Sequence, residues 1–199
     1  MIIGLTGSIA MGKSEVAKLF KEAGIPVFDA DAEVHALYDS KEGAELLRPI
    51  VPEATRNRRV DRALLKQAIQ ADSQLLSKIE KRVHGRIKAA RNLFIAQARV
   101  NAAEMIVLEI PLLFETDSDR LVDCSIVVSS PPHLQRKRAL ARPAMTEAQL
   151  DYIQMRQMPD DEKRRRATYV IENDGTLEEL RQRTKVLINQ LKNHRDKNA

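Results

Sequence analysis

The strongest chemistry in the sequence lies in Gly7-Ser8-Ile9-Ala10-Met11-Gly12-Lys13-Ser14. The spacing G-x-x-x-x-G-K-[ST] suits a loop whose backbone N–H groups turn inward around phosphate oxygens, with glycines at both ends. In such a loop Lys13 reaches the β and γ phosphates of ATP, and the Ser14 hydroxyl is an Mg²⁺ ligand. The helix that begins there points its positive N-terminus at the anion. The ATP-contacting stretch is residues 7–15, ending at Glu15. No N-K-x-D string for reading a guanine base occurs, which disfavours a GTPase. The loop alone does not name a reaction, because ATPase switches and small-molecule kinases share it.

Other residues suit the acceptor side and a closing lid. Asp29-Ala30-Asp31 follows a short apolar run, and ligands of open parallel sheets bind beyond the carboxyl ends of the strands. A carboxylate there can orient an acceptor hydroxyl and receive its proton; the competing role for Asp31 is to N-cap a helix over 32–38. Glu109, at the end of the third strand, either holds an Mg²⁺-bound water or is a buried, paired glutamate. Arg138 and Arg142 are four apart on a helix and so share a face, either as lid arginines closing on phosphates or as a solvated basic face. Arg62 pairs with a substrate phosphate or is an ordinary helix-start arginine. The run Lys163-Arg164-Arg165-Arg166 reads as solvated or as a general phosphate attractor. His35, His133 and His194 have no ligand spacing, and Cys124 reads as a buried strand residue.

The elements that must position these groups follow from hydrophobic periodicity. Residues 2–6 form an apolar run before the glycine-rich loop and read as a buried strand. From Ser14, the residues Val16, Leu19, Phe20 and Ala23 recur at helical spacing until Gly24 stops the helix, and 25–28 reads as a second strand. This is a βαβ unit of a parallel sheet. From about 31 to 103 the helical period dominates. Leu75, Leu76, Ile79, Val83, Ile87, Leu93 and Phe94 mark one long helix or two broken near Gly85, and 49–61 reads as a polar loop. Strand signals return at 105–110, 125–129 and 168–171. Between them, Pro131-Pro132 opens a helix and 147–158 reads as another. Thr176-Leu177-Glu178-Glu179 is a capping box starting a terminal helix, with fraying from about Asn193. The expected architecture is α/β: a three-layer P-loop sandwich with a five-stranded parallel sheet, an inserted helical substrate lobe and a helical lid. Its core comprises 1–30 and 104–199, with the lid at about 134–166 and the inserted lobe at 31–103.

Composition narrows the partners. The 199 residues carry 33 Lys and Arg against 28 Asp and Glu, a net charge of +5, which favours an anionic partner. Nine basic and five acidic residues fall in 133–169, and Arg56, Arg58, Arg59 and Arg62 form a second cluster, so the excess suits a nucleotide cleft. With no Trp, three Tyr and four Phe, base stacking on aromatics is disfavoured, and neither a nucleic-acid nor a membrane partner is expected. The apolar start lacks a basic residue ahead of it and is soon interrupted by Lys13, unlike a signal peptide. A single cysteine excludes an internal disulfide, and the expected compartment is the cytoplasm.

The ordered strings resemble one family. Gly4-Leu5-Thr6-Gly7 with the phosphate loop, Val27-Phe28-Asp29-Ala30-Asp31 and Val60-Asp61-Arg62-Ala63-Leu64 look like dephospho-CoA kinases. So do Ile110-Pro111-Leu112-Leu113-Phe114-Glu115, Arg156-Gln157-Met158 and Val170-Ile171-Glu172-Asn173. The resemblance implies Mg²⁺-dependent transfer of the ATP γ-phosphate to the 3′-hydroxyl of dephospho-CoA. It casts Asp31, Lys13 and Arg138 as catalytic, and Arg138 and Arg142 as lid arginines on ATP. Asp31, His35, Arg62, His84, Pro111, Leu112 and Leu113 fall on the substrate side, with Leu112, Leu113 and Phe114 against the pantetheine arm. The chain departs from the family pattern at Ala10, usually glycine, whose added methyl leads us to expect a loop backbone that avoids positive φ. It departs also at Ser8, commonly a second glycine, at Glu15, usually Ser or Thr, at His84-Gly85 in place of His-Pro, and at Ala167-Thr168 in place of Ala-Asp.

Overall fold

The computed structural model describes residues 1–72 and 74–196. The chain divides into two compact units, one of Met1–Phe28 with Asn101–Ala199 and one of Asp29–Val100.

The first unit is built on a five-stranded parallel sheet in the order β2-β3-β1-β4-β5. Its strands are β1 (Ile2–Thr6), β2 (Val27–Asp29), β3 (Ile106–Glu109), β4 (Cys124–Ser129) and β5 (Tyr169–Glu172). β1 is central: Leu5 stands opposite Glu109 of β3 on one side and Ile126 of β4 on the other. Side chains alternate across the sheet. Ile3, Leu5, Val107, Ile126, Val128 and Ile171 bury one face under Val16, Ala17 and Phe20 of α1 (Lys13–Glu22) and Leu180, Leu187, Ile188 and Leu191 of α9 (Leu177–Asp196). On the other face Val127 packs with Leu113, Phe114, Met158 and Ala167, which makes the third layer.

Helix ends follow the local sequence. α1 closes on Gly24 at φ 77, where Gly24 N–H reaches Lys21 O and Ile25 N–H reaches Phe20 O, the paired bonds of a left-handed glycine cap. Ile25 is therefore tied to this turn, and β2 begins only at Val27. α6 (Pro132–Leu140) opens at the double proline. The stretch expected as one helix over 147–158 is α7 (Glu147–Met155), followed after Pro159 by α8 (Asp160–Arg166). The capping box at α9 is present, with Glu179 N–H on Thr176 Oγ1 and Thr176 N–H on Glu179 Oε2. α9 runs on to Asp196, past the expected fraying point; residues 197–199 and the His194 side chain lie outside the described residues.

The second unit is helical: α2 (Ala30–Tyr38), α3 (Lys41–Leu47), α4 (Arg62–Ala71) and α5 (Leu75–Val100). Leu37, Leu47, Val51, Ala54, Val60, Leu65, Leu75, Ile79 and Val83 form its core. α5 is a single helix of 26 residues. Gly85 does not break it; a Cβ there would meet nothing within 4 Å, so the residue is an exposed helix position.

Candidate active site

The loop at 7–12 joins the carboxyl end of β1 to the N-terminus of α1, the place that an open α/β sheet offers to phosphate. Gly7 is needed because a Cβ there would lie 2.7 Å from Val128 O of the neighbouring strand. Gly12 N-caps α1 at φ 97, and a Cβ there would collide with the Asn173 amide. Ala10 corrects an expectation. Its φ is 61, in the left-handed region that its methyl group was expected to avoid. That conformation costs an L residue about 1–2 kcal/mol relative to glycine-like freedom, so neighbouring contacts must hold it. They are present on both sides. Met11 N–H donates to Ser8 O at 3.2 Å, and buried Asn173 donates from Nδ2 to Met11 O at 2.9 Å.

Lys13 Nζ donates to Glu109 Oε1 at 2.5 Å, and Ser14 Oγ donates to the same oxygen at 3.4 Å. Glu109 is 3% exposed and ends β3, directly beside the strand that feeds the loop. It is thus the buried, paired glutamate, and its partners are the two residues that the loop motif assigns to phosphate and metal. An exposed hydroxyl beside a carboxylate is a donor set that Mg²⁺ accepts, since that ion takes one or two protein oxygens and keeps waters and substrate phosphates for the rest. Glu15 lies half-buried in the first turn of α1.

Asp29, not Asp31, caps α2: its Oδ1 accepts from Ala32 N–H at 2.9 Å, and the helix starts at Ala30 rather than Ala32. The capping role weighed for Asp31 is therefore overturned. Its exposed carboxylate sits in the first turn, where the helix dipole favours negative charge. Within the same unit Arg62 donates to Asp39 Oδ2 at 2.8 Å and to His35 O at 3.4 Å, while the His35 and His84 side chains are exposed.

The arginines of the segment after β4 are placed differently from one another. Arg138 donates from Nη1 to Ser130 Oγ at 3.0 Å and to Asn173 O at 2.9 Å. Arg142 is exposed beyond the end of α6, whose cap is Ala141, so the shared helical face expected from the i,i+4 spacing does not form. In the basic run at 163–166, Arg165 is solvated as expected, and the other three are committed to partners. Lys163 is wholly buried and pairs with Glu115 at 2.9 Å, Arg164 forks onto Glu172, and Arg166 pairs with Asp119 over the Phe114 ring. Arg136 is bound to Glu147 and Asp151 of α7. Much of the basic excess in 133–169 is thus neutralised by acids of the same unit. Leu113 and Phe114 are committed to the core at 0% and 3% exposure; of that apolar trio only Leu112 presents surface. Pro111 is half-buried, and its carbonyl accepts from Thr6 Oγ1 at 3.1 Å. Burial pushes the Cys124 thiol up to about 11, so it is an inert core residue at neutral pH.

Sequence reasoning assigned no role to Gln135, Gln154, Gln157 or Asn173, which contact the phosphate loop or one another. Glutamine on a helix has no periodicity signal, and the three contacts to the phosphate loop join residues more than a hundred positions apart.

A sequence profile of dephospho-CoA kinases matches residues 1–179. The chain belongs to the dephospho-CoA kinase family. A dephospho-CoA kinase of Bradyrhizobium diazoefficiens is 48% identical over 180 residues, 90% of either chain. A dephospho-CoA kinase of Cereibacter sphaeroides is 47% identical over 189 residues, 94% of this chain and 93% of that protein. Among solved structures, a Thermus thermophilus protein superposes with a TM-score of 0.79 at 34% identity, covering 96% of this chain and 97% of that one. The family match extends from the phosphate loop through Asn173, so the loop and the residue that buttresses it lie within one matched region. No helix among the described residues is long and apolar enough to cross a membrane.

Proposed function

We propose that the chain transfers the γ-phosphoryl group of ATP to the 3′-hydroxyl of dephospho-CoA, giving CoA and ADP, with the chemistry carried by Lys13, Ser14, Glu109 and Asp31. The observation that carries this reading is the phosphate loop of a dephospho-CoA kinase relative converging, through Lys13 and Ser14, on the buried Glu109. Phosphoryl transfer is loose and largely dissociative, so catalysis is mostly placement and charge. The N–H groups of the loop and the α1 N-terminus bind the phosphate oxygens, and Lys13 turns its ammonium from Glu109 toward them. Ser14 and Glu109 would hold Mg²⁺, Ser14 directly and Glu109 through water, and an ion held there would supply charge neutralisation for the phosphates. Asp31, free of capping, positions the acceptor hydroxyl and takes its proton, while Arg62 and His35 border the substrate side. His84, Pro111 and Leu112 are further substrate contacts in this reading. Leu113 acts only from the core. Residues 134–166 serve as the lid, with Arg138 and Arg142 toward the nucleotide; closure excludes water and limits idle ATP hydrolysis. The substrates are small and anionic and the one cysteine is reduced, which suits the cytoplasm.

The test is ADP release by the purified chain with ATP, Mg²⁺ and dephospho-CoA, with the phosphorylated product identified as CoA by mass. Release stimulated by dephospho-CoA supports the reading; no stimulation at saturating acceptor sinks it.

A further inference from the structure

Ile9, at the tip of the phosphate loop, is held at both of its peptide groups by side chains of one distant segment. Its N–H donates to Gln157 Oε1 at 3.0 Å, and its carbonyl accepts from Gln135 Nε2 at 3.0 Å. The Gln135 amide is then completed on its other side, where Oε1 accepts from Gln154 Nε2 at 3.0 Å. Gln135 is 6% exposed, so its amide is desolvated, and losing either partner would leave a buried polar group unpaired. The residue next to this grip is Ala10, the one non-glycine residue of the loop at positive φ, and one residue further Asn173 fixes Met11 O. Ile9 and Met11 are therefore pinned on either side of the strained alanine. A short glycine-bounded loop with an L residue in the left-handed region relaxes unless its neighbours over-determine it.

We infer that Gln135, Gln154 and Gln157 are positioning residues for phosphoryl transfer, which hold the phosphate loop in its phosphate-receiving shape across the strained Ala10. Gln135 lies on α6, Gln154 on α7 and Gln157 just past the α7 cap, so the placement of these helices and the shape of the loop are tied together. The inference rests on the proposed nucleotide role of the loop. It assigns the loss on breaking the relay to ATP and not to the acceptor, because the relay touches only the loop.

The experiment compares wild type, Gln157→Ala, Gln135→Met, Ala10→Gly and the double variant Gln157→Ala/Ala10→Gly. The readouts are ADP affinity by calorimetry, KM for each substrate, kcat and Tm. Gln157→Ala, at a half-buried position, should raise the ADP Kd and the ATP KM about tenfold (~1.4 kcal/mol) and leave the dephospho-CoA KM in place. Glycine at position 10 removes the strain that the relay offsets. In the Ala10→Gly background, removing Gln157 should therefore cost well under that factor. Gln135→Met keeps the buried volume and should reproduce the ATP-side loss; should it fail to fold, the Gln157 pair still decides. Wild type that binds no ADP overturns the nucleotide reading itself. Wild type that binds ADP while Gln157→Ala binds it equally well overturns the relay. An equal loss with and without Ala10→Gly refutes the link to the strained alanine.

Discussion

Lys163→Met removes the cation from a pair set inside the sheet-bearing unit. Lys163 is fully buried, the Glu115 side chain is 15% exposed, and 2.9 Å separates Nζ from Oε1. Methionine fills nearly the same volume, so the expected cost is electrostatic and not a cavity. The Glu115 carboxylate keeps the Met158 N–H as a donor at 2.8 Å. Removing one partner of a buried pair costs about 3–5 kcal/mol; the residual exposure of Glu115 and its remaining hydrogen bond place this site near the lower end, about 3 kcal/mol. For a chain of this length each kcal/mol lowers Tm by about 2–4 °C, so Tm should fall by about 6–12 °C. The assay is thermal and urea unfolding followed by circular dichroism, with ATP KM measured well below the transition. Glu115→Gln keeps the acceptor for Met158 and removes the charge, so the double variant should recover most of the loss. Glu115→Gln alone leaves the buried Lys163 ammonium unpaired and should cost about as much as Lys163→Met, so the double-mutant cycle should give a coupling of about 5 kcal/mol. The ATP KM should hardly move, because a cation sealed from solvent attracts no ligand. A Tm within about 2 °C of wild type would refute the buried-charge reasoning. So would an unchanged Tm with a steep rise in ATP KM, which would return Lys163 to the role of phosphate attractor.

Lys13→Ala should abolish turnover while far-UV circular dichroism stays near wild type; it leaves the buried Glu109 without its cation, so Tm should fall as it does for Lys163→Met, and near-normal turnover would rule out the phosphate role of Lys13. Asp31→Asn should depress kcat with acceptor binding retained, whereas Asp29→Asn, an equally good cap, should be close to silent; the opposite pattern would show that the wrong carboxylate carries the acceptor. Cys124 should resist alkylation at pH 8 in the native state and react in urea, since raising its pKa from 9.0 to about 11 leaves about a hundredfold less thiolate; equal rates in both states would contradict its burial. At the start of α9, the backbone N–H and hydroxyl of Thr176 hold Glu179 below the usual carboxylate range. Its contribution is thus present above the unfolded pKa and is lost as pH falls through the lower folded value, from about 4.3 downward. Glu179→Gln should flatten the fall of Tm in that acid window, and an identical acid profile would refute the assignment.

Local features were legible in the sequence wherever one short stretch contains the cause. The phosphate loop, the glycine stop at Gly24, the double proline before α6 and the capping box at Thr176 each need only neighbouring residues. The reading failed where the exact end of a helix decided. Asp31 precedes an apolar helical stretch and so reads as a cap, yet the helix starts earlier and Asp29 takes that bond. Arg138 and Arg142 have the right spacing for one face, but the helix ends between them.

The sequence by itself determined that a strand runs into a phosphate loop and then a helix, and that a helical insertion separates strands of one sheet. Backbone propensity and hydrophobic period act over a few residues and need no partner. Only the tertiary structure decided which charges are free to act. The run at 163–166 is equally basic at every position in the sequence, yet Glu115, Glu172 and Asp119 claim Lys163, Arg164 and Arg166, Lys163 from the core, while Arg165 stays in solvent. The strain at Ala10 is likewise a tertiary matter. Whether an alanine holds a left-handed conformation depends on what grips its neighbours, and those grips come from Gln135, Gln157 and Asn173, far along the chain.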